Sequence, residues 1–127
     1  MLSLKSASPE ETRKIGAEIG KLVLPGDFIN LNGQLGAGKT LLVKGLGTSL
    51  GIGENEIVSP TCVLINEYEG SFPLYHFDLY RLEEELELEQ IGYLDYFYGE
   101  GVVAVEWGNL FAHKLPEDRL DVLLQIL

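Results

Sequence analysis

With 127 residues, of which 46% are hydrophobic, the chain is long enough to fold as one domain with a buried core and too apolar to be disordered. Its 20 acidic and 9 basic residues give a net charge of −11, which argues against a broad basic surface for binding nucleic acid. The single cysteine, Cys62, excludes an intrachain disulfide, and neither a transmembrane run nor a signal peptide is visible, so we predict a cytoplasmic protein without membrane association.

The first predicted elements are a helix and a strand. Ser8-Pro9-Glu10-Glu11 offers a helix N-cap, a proline at the first helical position and a carboxylate three residues after the cap. Apolar residues then recur at helical spacing, at Ile15, Ile19 and Leu22, until Pro25-Gly26 ends the helix. The run from Asp27 to Leu31 is short and apolar, which is typical of a strand.

The strand leads into Gly33-Gln34-Leu35-Gly36-Ala37-Gly38-Lys39-Thr40, which fits the phosphate-binding pattern G-x-x-x-x-G-K-[ST]. Its glycines let the backbone curl until several N–H groups point at one anion. Lys39 is then placed to reach the β- and γ-phosphates of a nucleotide, and the Thr40 hydroxyl to hold Mg²⁺. The following helix adds the positive end of its dipole. The pattern predicts a nucleotide phosphate site; the alternative is a glycine-rich turn without a ligand.

The helix after this loop carries an apolar stripe, Leu42, Leu46 and Leu50, and ends at Gly51. Gly45 and Gly47 lie inside it, where each costs about 1 kcal/mol relative to alanine, and we expect close packing of the helix on the sheet to explain them.

The middle of the chain predicts a β-hairpin and an acidic helix. Two apolar runs, 63–68 and 73–80, flank a turn and are expected to pair. An acidic helix follows, and its carboxylates form a solvated face or, less favoured, a docking face for a basic partner: Glu83, Glu84, Glu85, Glu87 and Glu89. Its inward side chains are expected to be Leu82, Leu86 and either Leu88 or Ile91.

The last third alternates again between helices and strands. Residues 93–97 and 109–114 predict short helices, 102–106 a buried strand, and 120–127 a final strand. The whole chain, 1–127, is therefore predicted to be a single α/β domain of the P-loop NTPase type, with a mainly parallel sheet, one β-hairpin and flanking helices.

A P-loop needs a second metal anchor, usually a carboxylate at the end of a neighbouring buried strand. Glu106 follows four apolar residues and has that placement, and Asp78 is the other candidate. Alternation places His76, Asp78 and Tyr80 on one face of their strand. The alternatives are an ordinary strand-end carboxylate for Glu106, a structural ion pair with Arg81 for Asp78, and a structural hydrogen bond for His76. Trp107 is either a core residue or a wall of the site.

Together these motifs resemble the TsaE (YjeE-like) family. The resemblance rests on Thr12 in the first helix, the loop 33–40, Ser59-Pro60-Thr61, the run Tyr75-His76-Phe77-Asp78-Leu79-Tyr80-Arg81, and Glu106-Trp107. Two features depart from the family pattern. Cys62 stands where an aromatic residue commonly follows Ser-Pro-Thr, and the sequence stops at Leu127, where such proteins usually continue with a strand or hairpin that carries a basic residue near the nucleotide.

The resemblance implies an ATPase that is weak alone and stimulated by partners, with ATP and Mg²⁺ as its cofactors. ATP would bind at Gly33, Gly36, Ala37, Gly38, Lys39 and Thr40, with Thr12, Thr61 and Trp107 as further contacts. Thr40 and Glu106 would hold Mg²⁺, and Asp78 would order the metal or the attacking water. The partner would be the TsaB–TsaD pair, which installs threonylcarbamoyl on the adenosine beside the tRNA anticodon, so that tRNA is contacted only indirectly.

Two other functions fit the loop. A small-molecule P-loop kinase usually surrounds the transferred phosphoryl group with several arginines, whereas this chain has only Arg13, Arg81 and Arg119. An ATP-gated assembly factor with negligible turnover would use ATP only to set the conformation of 59–61.

Overall fold

The computed structural model describes residues 2–33, 38–58, 64–80 and 82–124, and they form one six-stranded sheet with helices on both faces. The strands are β1 Leu2–Leu4, β2 Phe28–Gly33, β3 Ile65–Tyr68, β4 Leu74–Asp78, β5 Val102–Glu106 and β6 Leu120–Leu124. Their order across the sheet is β1-β6-β2-β5-β4-β3. Only β3 and β4 pair antiparallel, as the predicted hairpin; every other pair is parallel. The predicted α/β class is therefore confirmed.

Within the described residues, four α-helices accompany the sheet: α1 Pro9–Leu22, α2 Lys39–Ser49, α3 Glu85–Gln90 and α4 Tyr93–Phe97. Short 3₁₀ helices occupy Glu54–Glu56 and Gly108–Lys114. The start of α1 is as predicted, with Ser8 as the N-cap, because its hydroxyl accepts a hydrogen bond from the Glu11 amide at 3.2 Å. None of the helices in the described ranges is long and apolar enough to cross a membrane.

Two apolar layers cover the sheet, one on each face. Alternate side chains of the strands, such as Leu31 and Ala104, pack with Leu42 beneath α1 and α2. The intervening side chains, such as Phe77 and Val105, pack beneath α3 and α4. Because β5 is central and covered on both faces, all five of its residues are buried. This explains why its sequence is a continuous apolar run ending in one carboxylate.

Helices α1 and α2 approach each other closely at three glycines, Gly16 and Gly20 of α1 and Gly45 of α2. A Cβ on Gly45 would lie 2.0 Å from the Arg13 carbonyl oxygen, and a Cβ on Gly16 would lie 2.1 Å from the Leu42 carbonyl oxygen. Gly47 instead faces the Cδ1 atom of Ile57. The expectation that Gly45 and Gly47 allow packing on the sheet is therefore wrong: Gly45 allows one helix to pack on another.

The acidic helix is shorter than its sequence pattern indicated. It begins at Glu85, so Leu82 precedes it and does not define its buried face. Leu88 is fully buried, but Leu86 is 54% exposed, which contradicts the expectation that Leu86 points inward. Leu82 is buried as expected, at 7% exposure, although it precedes the helix. The prediction failed for Leu86 because the two leucines were placed on one helical stripe, whereas only Leu86 is helical.

Candidate functional site

The loop between β2 and α2 is bounded by two glycines whose conformations suit no other residue well. Gly33, at the end of β2, has φ 149°, and a Cβ there would lie 2.3 Å from the Leu124 carbonyl oxygen. Gly38 has φ 97° and immediately precedes α2. The strand-to-helix setting that the motif requires is therefore present. Gly36, Ala37 and Ser59-Pro60-Thr61 lie outside the described residues.

Lys39, the first residue of α2, reaches back to the end of β2. Its Nζ donates a hydrogen bond to the Gly33 carbonyl oxygen at 2.9 Å and lies 4.1 Å from the centre of the Trp107 ring. Burial lowers the pKa of Lys39, and the negative charges of Glu106 and Asp78 partly oppose that shift. A buried ammonium group between two carboxylates and a phosphate loop is suited to binding an anion.

The two predicted acids come together because their strands are parallel neighbours. Asp78 ends β4, Glu106 ends β5, and the two residues pair directly in the register of the sheet. Both lie on the sheet face that α1 and α2 cover, because they alternate with residues of the opposite layer. The carboxyl ends of parallel strands are where open α/β sheets bind ligands.

Glu106 is joined to the phosphate-loop helix by a direct hydrogen bond. Thr40 Oγ1 donates to Glu106 Oε2 at 3.0 Å, although the two residues are 66 positions apart in sequence. The same carboxylate oxygen lies 2.5 Å from Nε2 of His76, which is fully buried on β4. Glu106 itself is only 4% exposed. The acid is therefore held in place from two sides.

Asp78 is less enclosed and carries a perturbed carboxyl group. Its Oδ1 accepts a hydrogen bond from the Tyr80 amide at 3.0 Å. Burial raises the pKa of Asp78; the Tyr80 hydrogen bond lowers it, and the neighbouring Glu106 charge raises it again, with a net upward shift. A nearby cation would stabilise the ionised form of both acids.

The donor atoms fit a magnesium ion that is shared with a nucleotide. Thr40 Oγ1 and Glu106 Oε2 are 3.0 Å apart. That matches the separation of about 3.0 Å between adjacent oxygen ligands of octahedral Mg²⁺. Among the described residues, no group of three or more His, Cys, Asp or Glu side chains could hold a metal by itself. Mg²⁺ usually takes one or two protein ligands and completes its shell with phosphate and water oxygens, so this small set suits it.

Trp107 forms one wall beside the loop. It is the one non-glycine residue of the described chain with a left-handed backbone, at φ 64°. Its ring lies against that of Tyr80, with centres 4.8 Å apart, and against the Lys39 ammonium. Trp107 directly follows Glu106, the last residue of β5, and its indole lies beside Lys39, the first residue of α2.

Thr12 lies close to the loop but has local partners. A Cβ on Gly38 would lie 3.4 Å from Thr12 Cγ2, so α1 does border the site. The Thr12 hydroxyl, however, donates to Ser6 Oγ at 2.8 Å and is buried. The structure thus brings Thr12, Gly33, Gly38, Lys39, Thr40, Asp78, Glu106 and Trp107 into one region.

Two contacts at the site were not predicted from the sequence. The sequence assigned His76 a structural hydrogen bond without naming its partner, which is Glu106. The stacking of Tyr80 on Trp107 was not anticipated. The alternation that places His76, Asp78 and Tyr80 on one strand face was the available signal for both.

Away from the site, Asp121 on β6 accepts hydrogen bonds at 3.0 Å from Asn30 Nδ2 and from Arg119 Nε. Burial raises the pKa of Asp121, but the hydrogen bonds from Asn30 and Arg119 lower it. The net effect is a pKa below the ordinary value.

Comparison with known proteins identifies the family. The family model described as "Threonylcarbamoyl adenosine biosynthesis protein TsaE" matches residues 6–126. Two relatives named "tRNA threonylcarbamoyladenosine biosynthesis protein TsaE" are similar over most of the chain. The one from Bacillus subtilis (strain 168) is 42% identical over 125 residues, 98% of this chain and 77% of the relative. The one from Treponema pallidum (strain Nichols) is 43% identical over 122 residues, 96% of this chain and 90% of the relative.

A solved structure agrees with these sequence matches. The crystal structure of Bacillus subtilis YdiB superposes with a TM-score of 0.76 at 38% identity, covering 94% of this chain and 73% of that one. The family model and the curated relatives, which cover nearly the whole sequence, confirm the resemblance that the motifs indicated. The chain belongs to the TsaE family.

Proposed function

We propose that this protein binds Mg²⁺-ATP in the loop 33–40, hydrolyses it, and so supports the transfer of threonylcarbamoyl to the adenosine beside the anticodon of tRNA. The names of its relatives support the pathway. The observation that carries the ATP site is the hydrogen bond of 3.0 Å between Thr40 and Glu106. It joins the first turn of the phosphate-loop helix to the acid of the neighbouring central strand. A glycine-rich turn without a ligand does not require that pairing.

Each side chain has a role in this proposal. Lys39 binds the β- and γ-phosphate oxygens, and Thr40 and Glu106 hold the metal, which when bound neutralises charge on the phosphates. Asp78 orients the water that attacks the γ-phosphorus in line, so that the bond from the γ-phosphorus to the leaving ADP oxygen breaks as the new P–O bond forms. Trp107 lies beside Lys39 and lines the nucleotide site, and α1 brings Thr12 to its edge.

A nucleotide titration tests the site directly. The sequence contains one tryptophan, Trp107, so its fluorescence reports on the loop without labelling. We expect ATP to change the emission saturably, with tighter binding in Mg²⁺ than in EDTA, and ADP to compete. GTP in the same assay tests the choice of base. Lys39→Ala is the control, since it removes the phosphate-binding ammonium group. If wild type shows no saturable response to ATP while calorimetry also detects no heat of binding, the proposed site is wrong.

The partner requirement is a separate part of the proposal. The acidic chain has no excess of basic residues with which to bind tRNA, so we propose that contact with tRNA is delegated to the TsaB–TsaD pair in the cytoplasm. Adding that pair should raise ATP turnover well above the rate of the isolated protein. ATP-dependent binding to the pair with no rise in turnover would instead indicate an assembly factor for which ATP is only a gate.

A further inference from the structure

Among the described residues of the site, His76 is the most buried polar side chain. It is fully buried on β4, two residues before Asp78, and its Nε2 lies 2.5 Å from Glu106 Oε2. A carboxylate only accepts hydrogen bonds, so this contact is a hydrogen bond in the tautomer that is protonated at Nε2. In that tautomer the ring donates to the same carboxylate oxygen that accepts from the Thr40 hydroxyl.

The surroundings of Nδ1, the other ring nitrogen of His76, indicate that the contact with Glu106 orients the imidazole. Within the ranges that the structure describes, Nδ1 of His76 is buried and has no hydrogen-bond partner. A buried polar atom without a partner is unfavourable, and a leucine would avoid it. Among the described residues, the hydrogen bond that the ring makes is the one to Glu106. The imidazole is thus specifically suited to holding that carboxylate.

We propose that His76 is a positioning residue: its Nε2–H holds Glu106 Oε2 against Thr40 Oγ1, so that the carboxylate is in its metal-binding orientation before the nucleotide arrives. This rests on the proposed function of the site and adds a residue to it. Groups that orient metal ligands in this way typically contribute about 10-fold to 100-fold in metal affinity or activity. Lys39, on the other side of the site, binds phosphate without help from His76, so the two functions are separable.

The experiment compares three substitutions of His76 in the full chain. His76→Leu removes the donor, His76→Gln returns an amide N–H near the position of Nε2, and His76→Asn carries the same amide on a side chain too short to reach Glu106. Trp107 fluorescence of the ATP-saturated protein is followed during titration with Mg²⁺. We expect His76→Leu and His76→Asn to raise the half-maximal Mg²⁺ concentration about 10-fold, and His76→Gln to return it to within about 3-fold of wild type. ATP affinity in EDTA should stay within about 2-fold in all three.

A matched control separates positioning from a general loosening of the strand. Phe77→Leu shortens the adjacent side chain of β4, which packs in the opposite layer. It should lower the melting temperature but leave the Mg²⁺ midpoint unchanged. An equal Mg²⁺ shift in Phe77→Leu, or a His76→Gln variant as impaired as His76→Asn, would overturn the proposal. If His76→Leu does not fold, the Gln and Asn pair decides the question.

A second readout needs neither nucleotide nor metal. Imidazole ¹⁵N NMR shifts of His76 in the nucleotide-free protein should show the tautomer that is protonated at Nε2, and Glu106→Gln should change them. A His76 protonated at Nδ1 alone would refute the hydrogen bond. If wild type fails to bind Mg²⁺-ATP, the proposed function falls, and this measurement still decides whether His76 holds Glu106.

Discussion

The close contact between α1 and α2 leads to a prediction about stability. We expect Gly45→Ala to destabilise the protein and Gly47→Ala to leave it nearly unchanged, although both replace a glycine within the same helix. A Cβ on Gly45 would lie 2.0 Å from the Arg13 carbonyl oxygen and 3.0 Å from the Ala17 amide nitrogen, both backbone atoms. A Cβ on Gly47 would meet Ile57 Cδ1 at 2.1 Å, the far end of a side chain.

The expected loss of stability depends on whether the atom that the new Cβ meets is able to move. To accommodate Gly45→Ala, α1 and α2 must separate by about 1 Å along much of their contact, and overpacking of a core typically costs about 1–3 kcal/mol or more. The gain in helix propensity of about 1 kcal/mol offsets part of this cost. We therefore expect a net loss of about 2 kcal/mol, or a melting temperature lower by about 8 °C for a domain of this size. For Gly47→Ala, rotation of the Ile57 side chain about its Cβ–Cγ1 bond moves Cδ1 away and relieves the contact, so stability should stay within about 1 kcal/mol of wild type.

Thermal and urea unfolding followed by circular dichroism measure both variants. The double variant Gly16→Ala with Gly45→Ala adds a further check, because one separation of the helices relieves both contacts. Its loss should be smaller than the sum of the two single losses. A Gly45→Ala protein as stable as wild type, or less affected than Gly47→Ala, would refute the view that backbone contact between α1 and α2 sets the spacing of these helices.

Three further predictions concern charged side chains. Asp78→Ala and Glu106→Ala should each abolish Mg²⁺-dependent ATP turnover in the presence of the partner proteins while leaving the far-UV circular dichroism unchanged; near-normal turnover would exclude that residue from the mechanism. Because the pKa of Asp121 lies below its ordinary value, its charge adds stability above pH about 4, and this stability is lost as the pH falls through the lower folded-state pKa. Asp121→Asn should therefore be less stable than wild type at pH 7, with the difference shrinking towards pH 2 in urea unfolding. Lys39→Met should melt at or above the temperature of wild type, because it removes a buried ammonium group, and should show no saturable ATP binding by calorimetry.

Local sequence patterns predicted most of the fold because the residues that form each pattern also begin, end or bury an element in the folded protein. The cap at Ser8, the loop 33–40 and the apolar run before Glu106 each indicate an element and its end. The strand β1 was not predicted, since Leu2–Leu4 has no alternation long enough to distinguish it from a loop, and it forms an edge strand by pairing with β6. Leu86 was misplaced because helical periodicity does not show where a helix begins.

The motifs in the sequence indicated which residues belong to the candidate site, but they did not indicate which of those residues contact each other. Glu106 was expected at a strand end and Asp78 on one face of a strand predicted over 73–80, but only the parallel register of β4 and β5 places them side by side. His76 on β4 and Glu106 on β5 are diagonal neighbours in the register of these two strands. No sequence pattern encodes that register, so the short distance between them could not be predicted. The reason for Gly45 was likewise tertiary, because its neighbour lies on another helix.

The groups gathered at this site are each unfavourable in the folded protein by themselves. Burial lowers the pKa of Lys39 and raises that of Asp78, which means that the folded state disfavours both charges. In the described part of the chain His76 also retains a buried nitrogen without a hydrogen bond. In the proposed complex, a phosphate group with its metal would supply a counter-charge to the ammonium group and to the carboxylates together. We therefore expect the side chains that reduce the stability of the protein alone to be the ones through which nucleotide would stabilise it. Substitutions that relieve them should raise the melting temperature and, to the same extent, remove the further rise that nucleotide produces.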